Sequence, residues 1–214
     1  MQNYQAAFLE LCVELNILRF GKFTLKSGRE SPYFFNAGLF YTGLSLDALG
    51  SAYAHTLADS EIDFDLLFGP AYKGITLASA TAMAYSRQFG RNVPFAYDRK
   101  EEKDHGEGGK LVGAPLEGRV IIVDDVISSG TSIRLAAEQI VNAGATLAGV
   151  ALALDRQERG FTDDSASDEI RRRYGVPVIS ILSLETLIEY LSKSPENEKW
   201  RKAVVQYRAL YGSG

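Results

Sequence analysis

Residues 120–132 run Val-Ile-Ile-Val-Asp-Asp-Val-Ile-Ser-Ser-Gly-Thr-Ser, and this stretch restricts the fold more than any other. Four apolar β-formers predict a buried strand. Two carboxylates, Asp124 and Asp125, stand at its carboxyl end, and a Ser/Gly/Thr turn leads from them into a helix over 131–142. Small residues and Gly130 let successive backbone N–H groups face one concavity. Thr131 and Ser132 add hydroxyl donors, and the start of a helix adds roughly half a positive charge. Such a turn binds a phosphate monoester without a lysine. Carboxylates would repel that phosphate, so the two aspartates are expected to accept hydrogen bonds from sugar hydroxyls.

The rest of the chain alternates strands and helices. Phe8, Leu11, Cys12 and Leu15 have helical spacing, and 45–59, 74–87, 183–191 and 195–211 also read as helices. In the last of these Trp200, Val204 and Tyr207 share one packing face. Strands are predicted at 66–68, 93–98, 119–123, 146–155 and 176–181, with a β-prone, turn-rich segment at 21–36. Residues 99–118, with five glycines, read as a long mobile loop. The alternation predicts an α/β fold with a mostly parallel central sheet flanked by helices. Ligands then bind beyond the carboxyl ends of the strands. That rule selects 69–74, 99–110, 124–132 and 155–156.

Composition excludes several functions. The 214 residues suit a single domain over 1–214. A net charge of −4 weighs against a broad nucleic-acid surface. No apolar run approaches the ~20 residues of a membrane helix, and residues 1–10 lack a signal-peptide pattern. Cys12 is the one cysteine, so no internal disulfide forms and a cytoplasmic location is expected. His55, His105 and Cys12 cannot assemble a zinc cluster, and no protein ligand set for a metal is expected. Neither a P-loop nor a GxGxxG turn is present.

Two further segments carry charge where the strand-end rule points. Leu66 to Gly74 repeats the strand–loop–helix plan, with Gly69 and Gly74 for unusual backbone angles and Lys73 as a cation. Read by itself it is an ordinary turn; beside the first loop it offers a place for a second phosphate group. Arg99 to Lys110 holds four basic and four acidic residues, so bulk attraction explains nothing and only placement matters. It reads either as a solvated loop or as a lid that closes over a leaving anion.

The block at 120–132 resembles the signature of type I phosphoribosyltransferases, which bind 5-phosphoribosyl 1-diphosphate (PRPP), with Ser129 where threonine is usual. Within that family the chain resembles the bacterial orotate phosphoribosyltransferases. The resemblance rests on Phe23 to Gly28, Ser31 to Asn36, Phe68 to Gly74, Arg99 to Glu101 with Lys103 to Gly108, and Leu154 to Gly160. It implies a type I phosphoribosyltransferase fold with a small hood, built mainly from the N-terminal region and from segments after Arg156. It implies that Asp124, Asp125, Val126, Ile127, Ser128, Ser129, Gly130, Thr131 and Ser132 hold the ribose 5-phosphate. Tyr72 and Lys73 would contact diphosphate, and Arg99, Lys100, Lys103 and His105 would reach it, commonly in the neighbouring subunit of a homodimer. Lys103 and Asp125 are the residues it marks as catalytic, and Lys26 would lie near both PRPP and the base.

Orotate is a planar pyrimidine bearing a carboxylate, and it needs a cation, a flat wall and edge hydrogen bonds. Arg156 can fork onto a carboxylate, and Phe34 and Phe35 offer a wall or backbone donors. By the resemblance these three, with Lys26 and Ser128, contact orotate. Mg²⁺ is the implied cofactor, held mainly by PRPP and water. The implied reaction is Mg-dependent phosphoribosyl transfer to orotate, in the pathway to UMP. Other readings stay open: a phosphoribosyltransferase for a purine, a non-catalytic regulator on the same fold, and a phospho-acceptor receiver.

Overall fold

The computed structural model describes residues 1–25, 27–103, 109–127, 130–160 and 163–213. The chain runs α1 (Asn3–Glu14), β1 (Leu18–Thr24), β2 (Glu30–Phe35), α2 (Gly43–Asp59), β3 (Leu66–Gly69), α3 (Lys73–Phe89), β4 (Phe95–Lys103), β5 (Gly109–Gly113) and β6 (Arg119–Val126). It continues through α4 (Thr131–Asn142), β7 (Thr146–Asp155), α5 (Ala166–Tyr174), β8 (Val178–Ser183), α6 (Leu184–Leu191) and α7 (Glu198–Tyr211). The apolar runs pair into a six-stranded sheet of order β5-β4-β3-β6-β7-β8. All its pairs are parallel except β4–β5. β1 and β2 form a separate antiparallel hairpin with Leu18 opposite Phe35, and α7 packs on it.

Side chains of a strand alternate between faces, and here both faces are covered. Leu67, Ile121, Val123, Ala151 and Ala153 are buried with residues of α1, α2, α3, α6 and α7. Leu66, Phe68, Val120, Ile122, Val150 and Leu152 are buried with residues of α4 and α5. Burial on both sides is why these strands read as continuous apolar runs. Trp200 and Val204 pack on the first core, as does Tyr207. Among the described residues no helix is long and apolar enough to cross a membrane.

The structure departs from the expectations in four places. The stretch expected to be a loop from Arg99 to Gly118 is largely strand: β4 runs on to Lys103, and β5 pairs antiparallel with it. Backbone pairing at a sheet edge needs no apolar side chains, and charged edges resist pairing with other chains. Helix α5 was not expected, because it buries little beyond Ser167 and Ile170. Its ends, not its periodicity, define it: Ser165 and Asp168 form a capping box, and Gly175 takes φ 66 after the last turn. β6 extends to Val126, so Asp124 and Asp125 lie inside the strand and not beyond it.

The fourth departure concerns Gly69 and Gly74. Neither has a positive φ. They are glycine because β3 and α3 touch there: a Cβ on Gly69 would lie 2.0 Å from the Gly74 carbonyl oxygen, and one on Gly74 would lie 2.6 Å from the Gly69 carbonyl carbon. The turn after β3 is therefore tight enough to point the start of α3 back over the sheet edge. Gly69→Ala is expected to lower unfolding free energy by about 2 kcal/mol or more in urea melts, the scale of overpacking. Gly43→Ala, where an added Cβ meets nothing within 4 Å, stays within about 0.5 kcal/mol.

Candidate active site

β3 and β6 are neighbours in the sheet, but their following helices leave to opposite faces: α3 packs on the α2 side and α4 on the α5 side. A crevice opens where adjacent parallel strands diverge in this way. The loops after β3 and β6 form its rims. Lys73, the first residue of α3, makes a close ion pair across it with the Asp125 carboxylate at the end of β6. The ammonium side chain is 57% exposed and the carboxylate side chain 14%, so the cation is the mobile partner.

Asp124 is held more tightly. Its Oδ1 accepts the Asp125 amide at 2.9 Å, and its backbone oxygen accepts the hydroxyl of Tyr53, from α2, at 2.7 Å. Burial, and then the neighbouring Asp125 charge, push its pKa up to about 7. Such a carboxylate can either accept or donate to a hydroxyl near neutral pH.

Between β6 and α4 the described residues are Ile127 and Gly130. Ile127 is buried and Val126 partly so. Gly130 takes φ 68 as the residue before α4, which is the backbone sense that only glycine adopts without strain. Thr131 and Ser132 are exposed at the first turn of that helix. Arg134 adds a cation there, its Nη2 donating to Thr131 Oγ1 at 3.1 Å. Ser128 and Ser129 lie outside the described residues.

On the other rim, the peptide bond between Ala71 and Tyr72 is cis. The Ala71 amide donates to Asp98 Oδ1 at 2.5 Å, and Asp98 Oδ2 accepts Gln139 Nε2 from α4 at 3.3 Å. Asp98 therefore ties the loop after β3 to the helix after β6. Its strand, β4, pairs with β3 only as far as Tyr97 opposite Gly69, then runs on paired with β5 alone. Arg99 and Lys100 ride on that extension. Lys100 Nζ sits 5.6 Å from the ring centroid of the exposed Tyr72. Arg99 Nη1 is buried with no hydrogen-bond partner among the described residues, a donor suited to an incoming anion. The Lys103 side chain, Lys26 and His105 lie outside the described residues.

Arg156 follows β7, whose Leu154 lies opposite Val126 of β6, so it stands at the next strand end along. Phe34 and Phe35 alternate, as adjacent strand residues must: Phe35 is buried near Phe40, while the Phe34 ring stacks on Phe23 at 5.5 Å. The two cannot form one wall with their rings. Sequence reasoning missed Tyr53, Asp98 and Arg134. Asp98, the acid at the end of an apolar strand, was the one with a local signal. Tyr53 is 71 positions from its partner and had none.

Comparison with known proteins gives the same assignment from an independent direction. Residues 42–177 match the Phosphoribosyl transferase domain family. An orotate phosphoribosyltransferase of Pseudomonas aeruginosa is 58% identical over 212 residues, covering 99% of this chain and all of that protein. One from Cronobacter sakazakii is 57% identical over the same length and shares. The crystal structure of the Francisella tularensis orotate phosphoribosyltransferase is similar with a TM-score of 0.89 at 39% identity, covering 97% of this chain and all of that one. With a crevice between the start of α4 and the loop that carries Lys73, and relatives alike over their full length, the chain belongs to the phosphoribosyltransferase family, in its orotate phosphoribosyltransferase branch.

Proposed function

We propose that the protein transfers the phosphoribosyl group of PRPP to orotate, giving orotidine 5-monophosphate and diphosphate on the way to UMP. One observation carries this reading: the crevice between β3 and β6 brings together the start of α4, the carboxylates of Asp124 and Asp125, and Lys73, which pairs with Asp125 across it. PRPP presents a phosphate, a diol and a diphosphate in that order. In the proposal the turn from Val126 to Ser132 takes the 5-phosphate. Asp124 and Asp125 take the ribose hydroxyls, and Tyr72, Lys73, Arg99 and Lys100 take the diphosphate. Lys26, Phe34, Phe35, Ser128 and Arg156 receive orotate.

The chemistry follows. A ring nitrogen of orotate forms a bond to the anomeric carbon while the bond from that carbon to diphosphate breaks. Diphosphate leaves with the electron pair, and the ring N–H proton passes to it or to water. The transition state is oxocarbenium-like. Orotate is already anionic, so catalysis rests on positioning and on neutralising the leaving group. Lys103 and His105 take that second task together with Arg99 and Lys100, and Asp125 steadies the sugar as positive charge develops. Lys73 must release Asp125 when substrate enters, because the diol and the diphosphate claim the two partners separately.

Mg²⁺ fits as a companion of the substrate. Among the described residues no group of three or more His, Cys, Asp or Glu side chains converges to cage an ion. The carboxylates of Asp124 and Asp125 are hard oxygen donors of the kind Mg²⁺ meets through water. When bound it supplies charge neutralisation to the diphosphate. We extend the proposal to a cytoplasmic homodimer in which Arg99, Lys100, Lys103 and His105 serve the neighbouring subunit. Within each subunit, a hood from the N-terminal region and the segments after Arg156 covers a single-domain core.

Four outcomes test the reading. Formation of orotidine 5-monophosphate from orotate and PRPP, with uracil, hypoxanthine and adenine as alternatives, should occur with orotate alone; preference for a purine sinks it. Lys103→Ala should lower kcat about 10²–10³-fold with little change in orotate affinity, and Arg156→Ala should raise orotate KM about 10–100-fold. Asp124→Asn should abolish most activity while stabilising the fold. A carboxyl whose pKa rises from 3.8 to about 7 on folding loses stability as pH climbs from about 4 to about 7. Relative to wild type the variant therefore gains about 2–4 kcal/mol in denaturant melts at pH 8, and the gain disappears near pH 4.

A further inference from the structure

The Arg156 guanidinium is not loose at its strand end. Its Nε and Nη2 both reach a single oxygen, Glu158 Oε1, at 2.7 and 2.6 Å. Nη2 also donates to Ser31 Oγ at 3.1 Å, and one face of the group lies over the Tyr33 ring at 4.3 Å. The Arg156 and Glu158 side chains are 14% and 12% exposed. Burial works against the Arg156 charge, and Tyr33 and Glu158 outweigh it, holding the pKa above the ordinary arginine value. One edge and one face are thus occupied, which leaves the Nη1 amino group as the donor pair not engaged by these partners.

Glu158 is itself fixed. Its backbone bridges to Gly212, and the next amide, Arg159, donates to the Tyr211 oxygen at 2.8 Å. Its other carboxylate oxygen lies 3.7 Å from Arg29, whose guanidinium rests on the Tyr211 ring at 4.9 Å. Two cations therefore share one carboxylate in a largely buried cluster, with one positive charge left over. A single carboxylate on a ligand would balance it.

We propose that Glu158 is a positioning residue for base recognition: it holds the Arg156 guanidinium in the orientation that binds the orotate carboxylate, and thereby determines selectivity for a carboxylated pyrimidine. The proposal rests on the reading of Arg156 as the orotate-binding cation. With Nε and Nη2 occupied, Nη1 is the contacting group, and the direction of its N–H bonds depends on the orientation of the planar guanidinium. A guanidinium free to rotate would meet the carboxylate in only a fraction of its rotamers. Glu158 acts through Arg156 and makes no contact with the reacting atoms.

Steady-state kinetics of the full chain, with orotate and PRPP varied separately, test this. Glu158→Ala is expected to raise orotate KM about 10–100-fold and leave PRPP KM within about twofold. Glu158→Asp keeps the charge but withdraws the oxygen by one methylene, and should shift orotate KM in the same direction. Glu158→Gln keeps both the reach and an accepting oxygen at the Oε1 position, and should restore orotate KM to within about fivefold of wild type. Should Glu158→Ala fail to fold, the Asp and Gln variants decide the matter between them. The proposal is overturned if Asp matches wild type while Gln does not, since charge and not position would then be at work. It is equally overturned if orotate KM is unchanged in all three, or if both KM values and kcat deteriorate together. Arg156→Ala run alongside separates the two levels: unchanged orotate KM in that variant removes the base-pocket reading itself, whereas a raised KM there with normal kinetics in the Glu158 variants removes only the role of Glu158.

Discussion

The pairing of β3 with β6 is the constraint from which the site follows. Both strands are buried on both faces, so each must be followed by a helix that covers one face, and the helices after these two strands cover different faces. The connections diverge and the strand ends stay uncovered. What fills the gap is set by backbone geometry before any catalytic residue is considered. Gly69 and Gly74 let α3 begin in contact with the end of β3. The positive φ of Gly130 turns the chain into α4. The starts of α3 and α4 then stand at the carboxyl ends of two adjacent strands, and a helix start carries partial positive charge.

Charge placement follows from that frame. Asp124 and Asp125 stand where a buried strand meets the crevice, and burial raises the Asp124 pKa because a charged carboxylate there has lost water. Lys73 offsets part of this through Asp125. An acid pair so placed destabilises the empty protein near neutral pH, and an apolar or amide pair would fold better. Its retention makes sense when a polyhydroxyl ligand replaces the lost water. The same logic covers Arg99, whose buried Nη1 lacks a partner among the described residues. A partly buried carboxylate pair and a cation with a spare donor fit a ligand that carries both hydroxyls and dense negative charge.

How much of this was legible depended on whether the signal was local. β7 over Thr146–Asp155 and α4 over Thr131–Asn142 were readable to the residue, because an apolar run and an amphipathic period are properties of the segment alone. The hairpin of β4 and β5 was not, because its pairing is made by backbone and its side chains are those of a solvated loop. Helix α5 has caps but almost no apolar stripe, and periodicity cannot find such a helix. Gly69 and Gly74 were recognised as special for the wrong reason: conformational freedom and close approach both select glycine, and the sequence does not distinguish them. Tyr53 was invisible since its role is a contact across 71 positions, and Asp98, though an acid at the end of an apolar strand, meets its partner across 27.

The two ends of the proposed substrate differ in the same respect. A phosphate monoester can be gripped by consecutive amides and hydroxyls, so the site proposed for it, 126–132, is written in one short block. A planar base with a carboxylate cannot be gripped that way. It calls for a guanidinium at a set angle, and the one proposed for it, Arg156, contacts Ser31 and Tyr33 of the hairpin and Glu158 beside it. Residues of α7 and beyond reinforce the same cluster: the Tyr33 and Tyr207 rings meet edge to face at 6.1 Å, and the Ser213 amide donates to the Gln157 oxygen at 2.9 Å. Recognition shared across a family can be local, while recognition of one base is assembled from distant parts of the chain. A substitution in α7 or the hairpin can therefore alter base preference without touching the phosphate block, which gives the fold a physical route to new acceptors on an unchanged donor site.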